Sequence, residues 1–474
     1  MRNGVDPNKP TLLPVPISLT RRGLPRTIPP FYRSMIRSGG PKVVKCYLSF
    51  FSLYRIILLA KLIDKITFSS IVTPVQDMHR VYSTISRMKE NVVPLLARYI
   101  PWFRRILLYQ GMSWEPTWKT VPTMSQANEK LKSGASQLGP KFHGPYKSCF
   151  PCLMFEMSAY AFLVQFLFSY GEQWSSGILW PSRVRFAGDK NKKMFSGSDL
   201  DYYEKYIGPS LPHPEQLEIP PVTGRLGQTI EQGTKRGVFA IANYINQRLL
   251  KPVHDWLQKV LRPLPMDGTF NQQRPLDRLI GSTCCHCFDL KSANDRWPLS
   301  LMFEVMCHMF DRRFAPGVVN SALGADIFDV PFLKKKRSSV SFVTGQPLGY
   351  YSSWPLFALT HHFVVWWCAQ QVHPGRRFDK YAVLGDDVII CDDLVAEKYK
   401  EVLDFLEAKI SVRKSLISHS GTGEFAKRFC VRGLAVDLSP ASAQALTNFY
   451  HPYGLMAINN RYQIRRVWFQ PCAG

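Results

Sequence analysis

The sequence predicts a mixed α+β fold, and three observations support that expectation. Two short apolar runs, Tyr381–Leu384 and Val388–Ile390, bracket Gly385, Asp386 and Asp387 as the arms of a hairpin would. Another apolar run ends on Asp289, nearly a hundred positions upstream, and supplies a further strand. Around these strands, residues 78–108 repeat apolar positions at helical spacing, and the segment 345–369 runs from a Gly/Ser-rich loop into a long apolar helix.

Taken in order, residues 1–40 are rich in proline, in NKPTLLPVP and RTIPPF, and are expected to form an extended basic arm. From there to about residue 135 the spacing is helical. Trp174 to Gly224 is loop-rich, joining SRVRFAGDKNKKMF to the proline cluster GPSLPHPEQLEIPP. No repeat of solenoid period is present.

The charge balance narrows the partners. Sixty Lys and Arg against 35 Asp and Glu leave a net charge of +25, which attracts polyanions through counterion release. Because the basic residues are spread along the chain and not gathered on one amphipathic helix, a nucleic acid fits better than a membrane surface. The apolar runs Cys46–Ile63 and Leu153–Tyr170 carry Arg55 and Lys61, and Glu156 and Gln165, and neither reads as a membrane span. Met1 to Ile63 holds eleven basic residues and one acid, Asp6, a composition shared by mitochondrial transit peptides and RNA-contacting arms.

Eleven scattered cysteines in a chain of 474 residues point to a reducing compartment. Cys149/Cys152 and the group Cys284, Cys285, His286, Cys287 are read as packing residues, since a zinc site needs two matched ligand pairs with accessible geometry and each group sits against a strongly apolar segment. His254, His361 and His362 are likewise read as packing or capping residues, and the basic run 334–337 as a solvated turn.

The acidic segments carry the chemistry. A Gly-Asp-Asp tripeptide has roughly a one-in-ten chance of arising at random in a chain this long, so it is weak alone. Its setting is stronger: adjacent carboxylates between apolar strands repel unless a cation lies between them. Asp289 ends one strand with Asp295 six residues on, and if Asp289 and Asp386 lie on neighbouring strands they can share two divalent ions. Between them, Gly345 and Gly349 permit close backbone approach to a ligand, and Ser352 and Ser353 offer hydroxyls.

The order of DLKSANDRWPLSLMFEVM, GQPLGYYSSWPLFALTHH, YAVLGDDVII, and EFAKRF with VDLSP resembles motifs A, B, C and E of the RNA-dependent RNA polymerases of mitoviruses, particularly plant ones and their endogenised copies in plant genomes. The resemblance spans about residues 225–455. It implies a right-hand polymerase: an N-terminal extension and helical fingers over 41–224, fingers with basic motif F over 225–288, a palm with a central antiparallel sheet over 289–440, and a reduced thumb over 441–474. It further implies Asp289 and Asp386 as principal ligands of two Mg²⁺ ions, with Mn²⁺ as a substitute, and Asp387 in support.

By the same resemblance Asp295 senses the ribose 2′-hydroxyl, Lys414 is the motif D general acid, and Lys235 with Arg236 meets the triphosphate. The usual Lys-x-Arg pattern departs here: Gly237 holds the second position, and Arg236 faces the opposite side of a strand. Ser352 and Ser353 fall to the nucleotide, and Gly345, Gln346, Gly349, Glu424, Lys427 and Arg428 to template and primer. MDGTFNQ, residues 266–272, looks family-like without a physical role to assign. The expected partners are RNA and ribonucleoside triphosphates, and the expected location is the mitochondrion. A reverse transcriptase is the nearest enzymatic alternative, which Asp295 opposes, and a catalytically impaired RNA-binding remnant is the alternative of a different class.

Overall fold

The structure is a computed structural model and describes residues 24–52, 66–100, 224–230, 236–242, 244–310, 315–332, 339–412 and 414–440, with a few isolated positions beside them. The described chain is mixed α+β. Its helices and strands, in order, are α1 Pro30–Ser38, α2 Pro41–Phe51, α3 Ile66–Val72, α4 Met78–Lys89, α5 Val92–Tyr99, β1 Gly224–Ile230, β2 Arg236–Ile241, α6 Tyr244–Leu261, α7 Gln273–Asp277, β3 Cys285–Asp289, α8 Ala293–Arg296 and α9 Leu299–Met309. After a π-helical segment Pro316–Gly324 come β4 Phe328–Asp329, β5 Ser339–Val340, α10 Ser353–Val372, β6 Tyr381–Leu384, β7 Asp387–Ile390, α11 Asp393–Phe405, β8 Leu416–Ser418, β9 Gly423–Phe425, β10 Arg428–Val431 and β11 Val436–Asp437.

The proline-rich arm is not extended throughout. Pro30–Ser38 is helical, with Pro30 in its first turn, where proline's missing amide has no intrahelical partner to lose and its fixed φ suits a helix. Periodicity performs better further on: α4 buries Val81, Thr84, Ile85 and Met88, and α5 buries Val92, Leu95, Leu96 and Tyr99. Each set lies on one helical face.

A four-stranded antiparallel sheet in the order β6-β7-β3-β8 organises the molecule. Alternate residues of its strands enter two different cores. Phe288, Tyr381, Val383, Val388 and Ile390 join the large cluster that includes α4, α5, α6, α9, α10 and α11. Cys285, Cys287, Ala382, Ile389 and Cys391 join a smaller cluster with Phe425, Cys430 and Leu434 from the β11-β10-β9 sheet. Burial on both faces explains why these strands read as continuous apolar runs.

Helix α10 backs the sheet and is buried along almost its whole length from Ser353 to Ala369, only Trp354 being partly exposed. Most of its polar groups are paired inside the protein, the Ser353 hydroxyl and the Trp367 indole nitrogen being exceptions. The Trp297 indole donates to Thr360 at 2.9 Å. His361 joins the Gly385 carbonyl at 2.7 Å and the Tyr399 hydroxyl at 2.6 Å. His362 joins the Tyr381 hydroxyl at 2.8 Å and Asp267 Oδ2 at 3.0 Å. MDGTFNQ thereby gains a role: Gly268 N–H donates to the Val383 carbonyl and Val383 N–H to that of Met266, so the segment extends the sheet beyond β6. Asp267, wholly buried, fastens it to α10.

The N-terminal helices belong to the same body. Tyr99 stacks on Trp366 with centroids 4.3 Å apart, and its hydroxyl accepts the Phe378 amide at 2.7 Å. The Glu407 carboxylate accepts the amides of Gln76 and Asp77, docking the start of α4 near the sheet.

Two substitutions test this framework. Gly385 has φ +57, and a Cβ there would lie 2.0 Å from the Trp354 ring, so Gly385→Ala is expected to cost about 2 kcal/mol or more, read by urea unfolding. Asp267→Ala strands His362 in the core and is expected to cost about 3 kcal/mol. A double-mutant cycle with His362→Ala should show strongly non-additive unfolding free energies.

Candidate active site

Two short strands deliver the acids to one place. Asp289 closes β3 and pairs directly with Asp387, which opens β7, while Asp386 occupies the two-residue turn just before it. Directly opposed residues of an antiparallel pair point to the same face with Cβ atoms about 4.5–5.5 Å apart. The ladder continues one step further, the Leu290 amide donating to the Asp386 carbonyl at 3.1 Å. The tight turn is possible because Gly385 takes the positive φ that begins it.

These charges strain the site electrostatically. The Asp387 carboxyl is pushed up to about 7, first by burial and then by the charges of Asp386, Asp289 and Glu424, with Lys414 opposing. Lys414 answers part of the excess: its ammonium donates to both Asp289 oxygens, at 2.9 and 3.0 Å. Burial alone would lower the Lys414 pKa, but the Asp289 hydrogen bond and the neighbouring acids outweigh it and raise the value. Several hard oxygen donors around one bound ammonium form a donor set suited to small divalent cations such as Mg²⁺.

Asp295 lies beyond the strand end in α8, where its Oδ2 accepts the Ser70 hydroxyl at 2.7 Å. Burial raises its pKa, with Ser70 and Arg296 acting against that shift. Ser70, in α3, had no signal in the sequence that linked it to an acid 225 positions away.

The glycines between the acids serve a different contact from the one expected. A Cβ on Gly345 would lie 2.1 Å from the Asn294 carbonyl oxygen and 2.6 Å from that of Asp295, and one on Gly349 would lie 2.4 Å from the Ala240 oxygen. Both therefore permit close approach to the protein's own backbone, clamping the 345–353 loop between the Asp295 segment and β2. Gln346 is wholly buried, its amide nitrogen donating to the Ser353 carbonyl at 2.8 Å and its Oε1 left without a hydrogen-bond partner. Ser352 donates to the Leu250 carbonyl at 3.0 Å while its amide donates to His254 at 3.1 Å, whereas the buried Ser353 hydroxyl has no partner. His254 is thus the capping residue that the sequence suggested.

Glu424 lies in β9 beside β3, with its amide donating to Cys287 Sγ at 3.2 Å. Lys427 is exposed at the β9–β10 turn with φ +65, and Arg428 is paired to Asp437 at 2.7 Å. Arg236 opens β2 opposite Ile230. Lys235, Cys149, Cys152, the basic run 334–337 and nearly all of 441–474 lie outside the described residues.

An antiparallel sheet that gathers three aspartates at one end, with a lysine bound to them, is the kind of site expected of an enzyme acting on phosphate esters with divalent cations. The sequence is specific about which: the family model for the mitovirus RNA-dependent RNA polymerase matches residues 165–467, and the chain belongs to this family. An uncharacterized mitochondrial protein of Arabidopsis thaliana is 63% identical over 158 residues, which cover 33% of this chain and 78% of that protein. A second one is 43% identical over 209 residues, or 43% of this chain and 83% of the relative. The RNA-directed RNA polymerase of Cryphonectria parasitica mitovirus 1 is 33% identical over 213 residues, covering 44% of this chain and 25% of the viral protein. Among solved structures, an apo telomerase from Candida tropicalis truncated from its C-terminal domain aligns over 45% of this chain and 54% of its own length, with TM-score 0.37 and 11% identity.

The raised Asp387 pKa sets a pH dependence. Between 3.8 and about 7 the folded protein retains a proton that the unfolded chain has lost, so this residue makes stability fall as pH rises through that window. Thermal melts in a chelating buffer should show the decline, and Asp387→Asn should flatten it.

Proposed function

We propose that the chain is an RNA-dependent RNA polymerase that extends an RNA 3′-hydroxyl with ribonucleoside triphosphates in mitochondria. The observation that carries this reading is the direct pairing of Asp289 with Asp387 across β3 and β7, with Asp386 in the adjoining turn. On this reading the β6-β7-β3-β8 sheet is the palm, which takes in β3 from Cys285 and so starts a few residues before 289 and runs to 440; residues 41–224 and those from 225 up to β3 contribute the N-terminal extension and fingers, and 441–474 contribute to the thumb. The net charge of +25 suits a surface that tracks a phosphate backbone. Among the described residues no helix is long and apolar enough to cross a membrane.

Asp289 and Asp386 would hold two Mg²⁺ ions, with Asp387 in support. Bound there, the ions would activate the attacking hydroxyl and stabilise charge on the leaving pyrophosphate. Lys414, bonded to Asp289, is placed to give a proton to the pyrophosphate. Asp295, held by Ser70, accepts the ribose 2′-hydroxyl, a preference that favours ribonucleotides and disfavours a reverse transcriptase. Lys235 and Arg236 meet the triphosphate. Ser352 is committed to Leu250, and the hydroxyl of the likewise buried Ser353 is the one of the pair left without a partner. Gly345 and Gly349 fix the loop that borders the template, with Gln346 inside it. At the primer side, Glu424 and the exposed Lys427 are better placed than Arg428, whose guanidinium is held by Asp437.

A primer-extension assay tests the reading. Asp386→Asn should lower synthesis by roughly a thousandfold, the worth of several kcal/mol of metal-held charge, with RNA binding retained. Lys414→Met should slow turnover by about a hundredfold with little change in KM. Asp295→Ala should raise deoxynucleotide use relative to ribonucleotides by roughly tenfold or more, the worth of a hydrogen bond to a charged group. If the unmodified protein makes no product on varied templates with either Mg²⁺ or Mn²⁺, the polymerase reading fails and an RNA-binding remnant takes its place.

A further inference from the structure

At the end of β3 opposite Asp289, the register of the sheet gathers a second group of metal-binding residues. Cys284 precedes β3, and His286 lies within it. His419 follows β8, whose Ser418 pairs with Cys285. Asp393 opens α11, three residues after Ile390, the β7 partner of His286. Three neighbouring elements thus contribute four side chains, two from the β3 segment and one each from β8 and α11.

The side chains converge on a single atom. Asp393 Oδ1 lies 3.0 Å from Cys284 Sγ, 2.7 Å from His286 Nε2 and 3.7 Å from His419 Nδ1. The ligand atoms of Cys284, His286 and Asp393 all fall within 4.8 Å of one another. The His286 side chain is only 6% exposed and its Nδ1 has no hydrogen-bond partner, while Asp393 and His419 are 54% and 60% exposed. A buried imidazole is thus faced by two exposed side chains with room to close around an ion.

We infer that Cys284, His286, His419 and Asp393 form a structural zinc site, separate from the aspartate site. The set of one sulfur, two imidazole nitrogens and one carboxylate oxygen matches the tetrahedral preference of Zn²⁺, with bonds of about 2.3 Å to sulfur and 2.0–2.2 Å to nitrogen and oxygen. Mg²⁺, which demands octahedral oxygen ligation, is excluded by the same donors. On binding, the Cys284 S–H bond breaks and its proton goes to solvent. His286 moves its proton from Nε2 to Nδ1, freeing the Nε2 lone pair, and the Asp393 oxygen withdraws from the centre to become a ligand. One Zn²⁺ enters and one H⁺ leaves, so the net charge of the site rises from −1 to 0.

Cys284 and His286 have no second pair nearby in the sequence because that pair lies 107 positions or more downstream. A zinc here would join the far end of β3 to β8 and α11, anchoring the strand that carries Asp289. This inference does not depend on the polymerase reading.

Cobalt titration of the metal-free full chain tests it, because a thiolate-to-cobalt charge-transfer band and tetrahedral d–d bands cannot come from the all-oxygen aspartate site. One equivalent of Co²⁺ should give both bands, one equivalent of Zn²⁺ should displace it, and excess Mg²⁺ should not. Cys284→Ser should abolish the charge-transfer band. His419→Ala, at an exposed position that leaves the core intact, should weaken zinc binding by roughly tenfold or more and remove the rise in melting temperature that zinc gives the unmodified protein. Absence of the band in the unmodified protein, its survival in Cys284→Ser, or unchanged zinc affinity in His419→Ala would each overturn the site and leave a hydrogen-bonded cluster.

Discussion

Like charges held at one end of a doubly buried sheet are the constraint around which the described structure is built. Asp289, Asp386 and Asp387 repel one another, and burial worsens the conflict, as the elevated Asp387 pKa records. The Lys414 ammonium offsets only part of that cost. The rest is met by packing elsewhere: both faces of β3 and β7 are covered, one by the helices and the other by the β9–β11 sheet. A strand buried on both faces cannot swing aside to separate its acids without opening two cores.

The turn that carries Asp386 is secured by contacts from behind. His361 reaches from α10 to the Gly385 carbonyl and on to Tyr399 of α11. Burial lowers its pKa to about 3, with His362 adding to the depression and the Gly385 hydrogen bond opposing it. The ring is therefore neutral at physiological pH, with one nitrogen donating and the other accepting. Since the Gly385 carbonyl can only accept, its partner Nδ1 is the donor, and Nε2 accepts from the Tyr399 hydroxyl. A neutral tether positions the turn without altering the charge of the aspartates above it, and Trp354 fills the space against the glycine.

Much of this was legible from residue patterns, and the failures have identifiable causes. The pairing of the Asp289 strand with the Gly-Asp-Asp hairpin could be read because apolar runs ending in acids have few other ways to satisfy both burial and charge. The need for glycine at 345 and 349 was visible, but the object of the close approach was not: spacing shows that backbone must come near something, not that the something is the Asn294 carbonyl or Ala240. Ser352 and Gln346 look like ligand contacts in the sequence because side-chain polarity is visible there and burial is not. Asp267 and Ser70 were opaque for another reason, as their partners, His362 and Asp295, lie 95 and 225 positions away. The helix at Pro30–Ser38 was missed because proline was read as a helix breaker at the position where it is tolerated.

Three glycines around the site that leave no room for a side chain also bear on how this gene can age. Any missense change in the first or second base of a glycine codon places at least a Cβ at the site, and at 345, 349 and 385 that atom would collide with backbone or with an indole ring. Nine nucleotides thus include six at which no substitution is silent in the folded protein. In a copy freed from selection, these codons would be among the first places where an open reading frame could survive while its product lost the shape of the site.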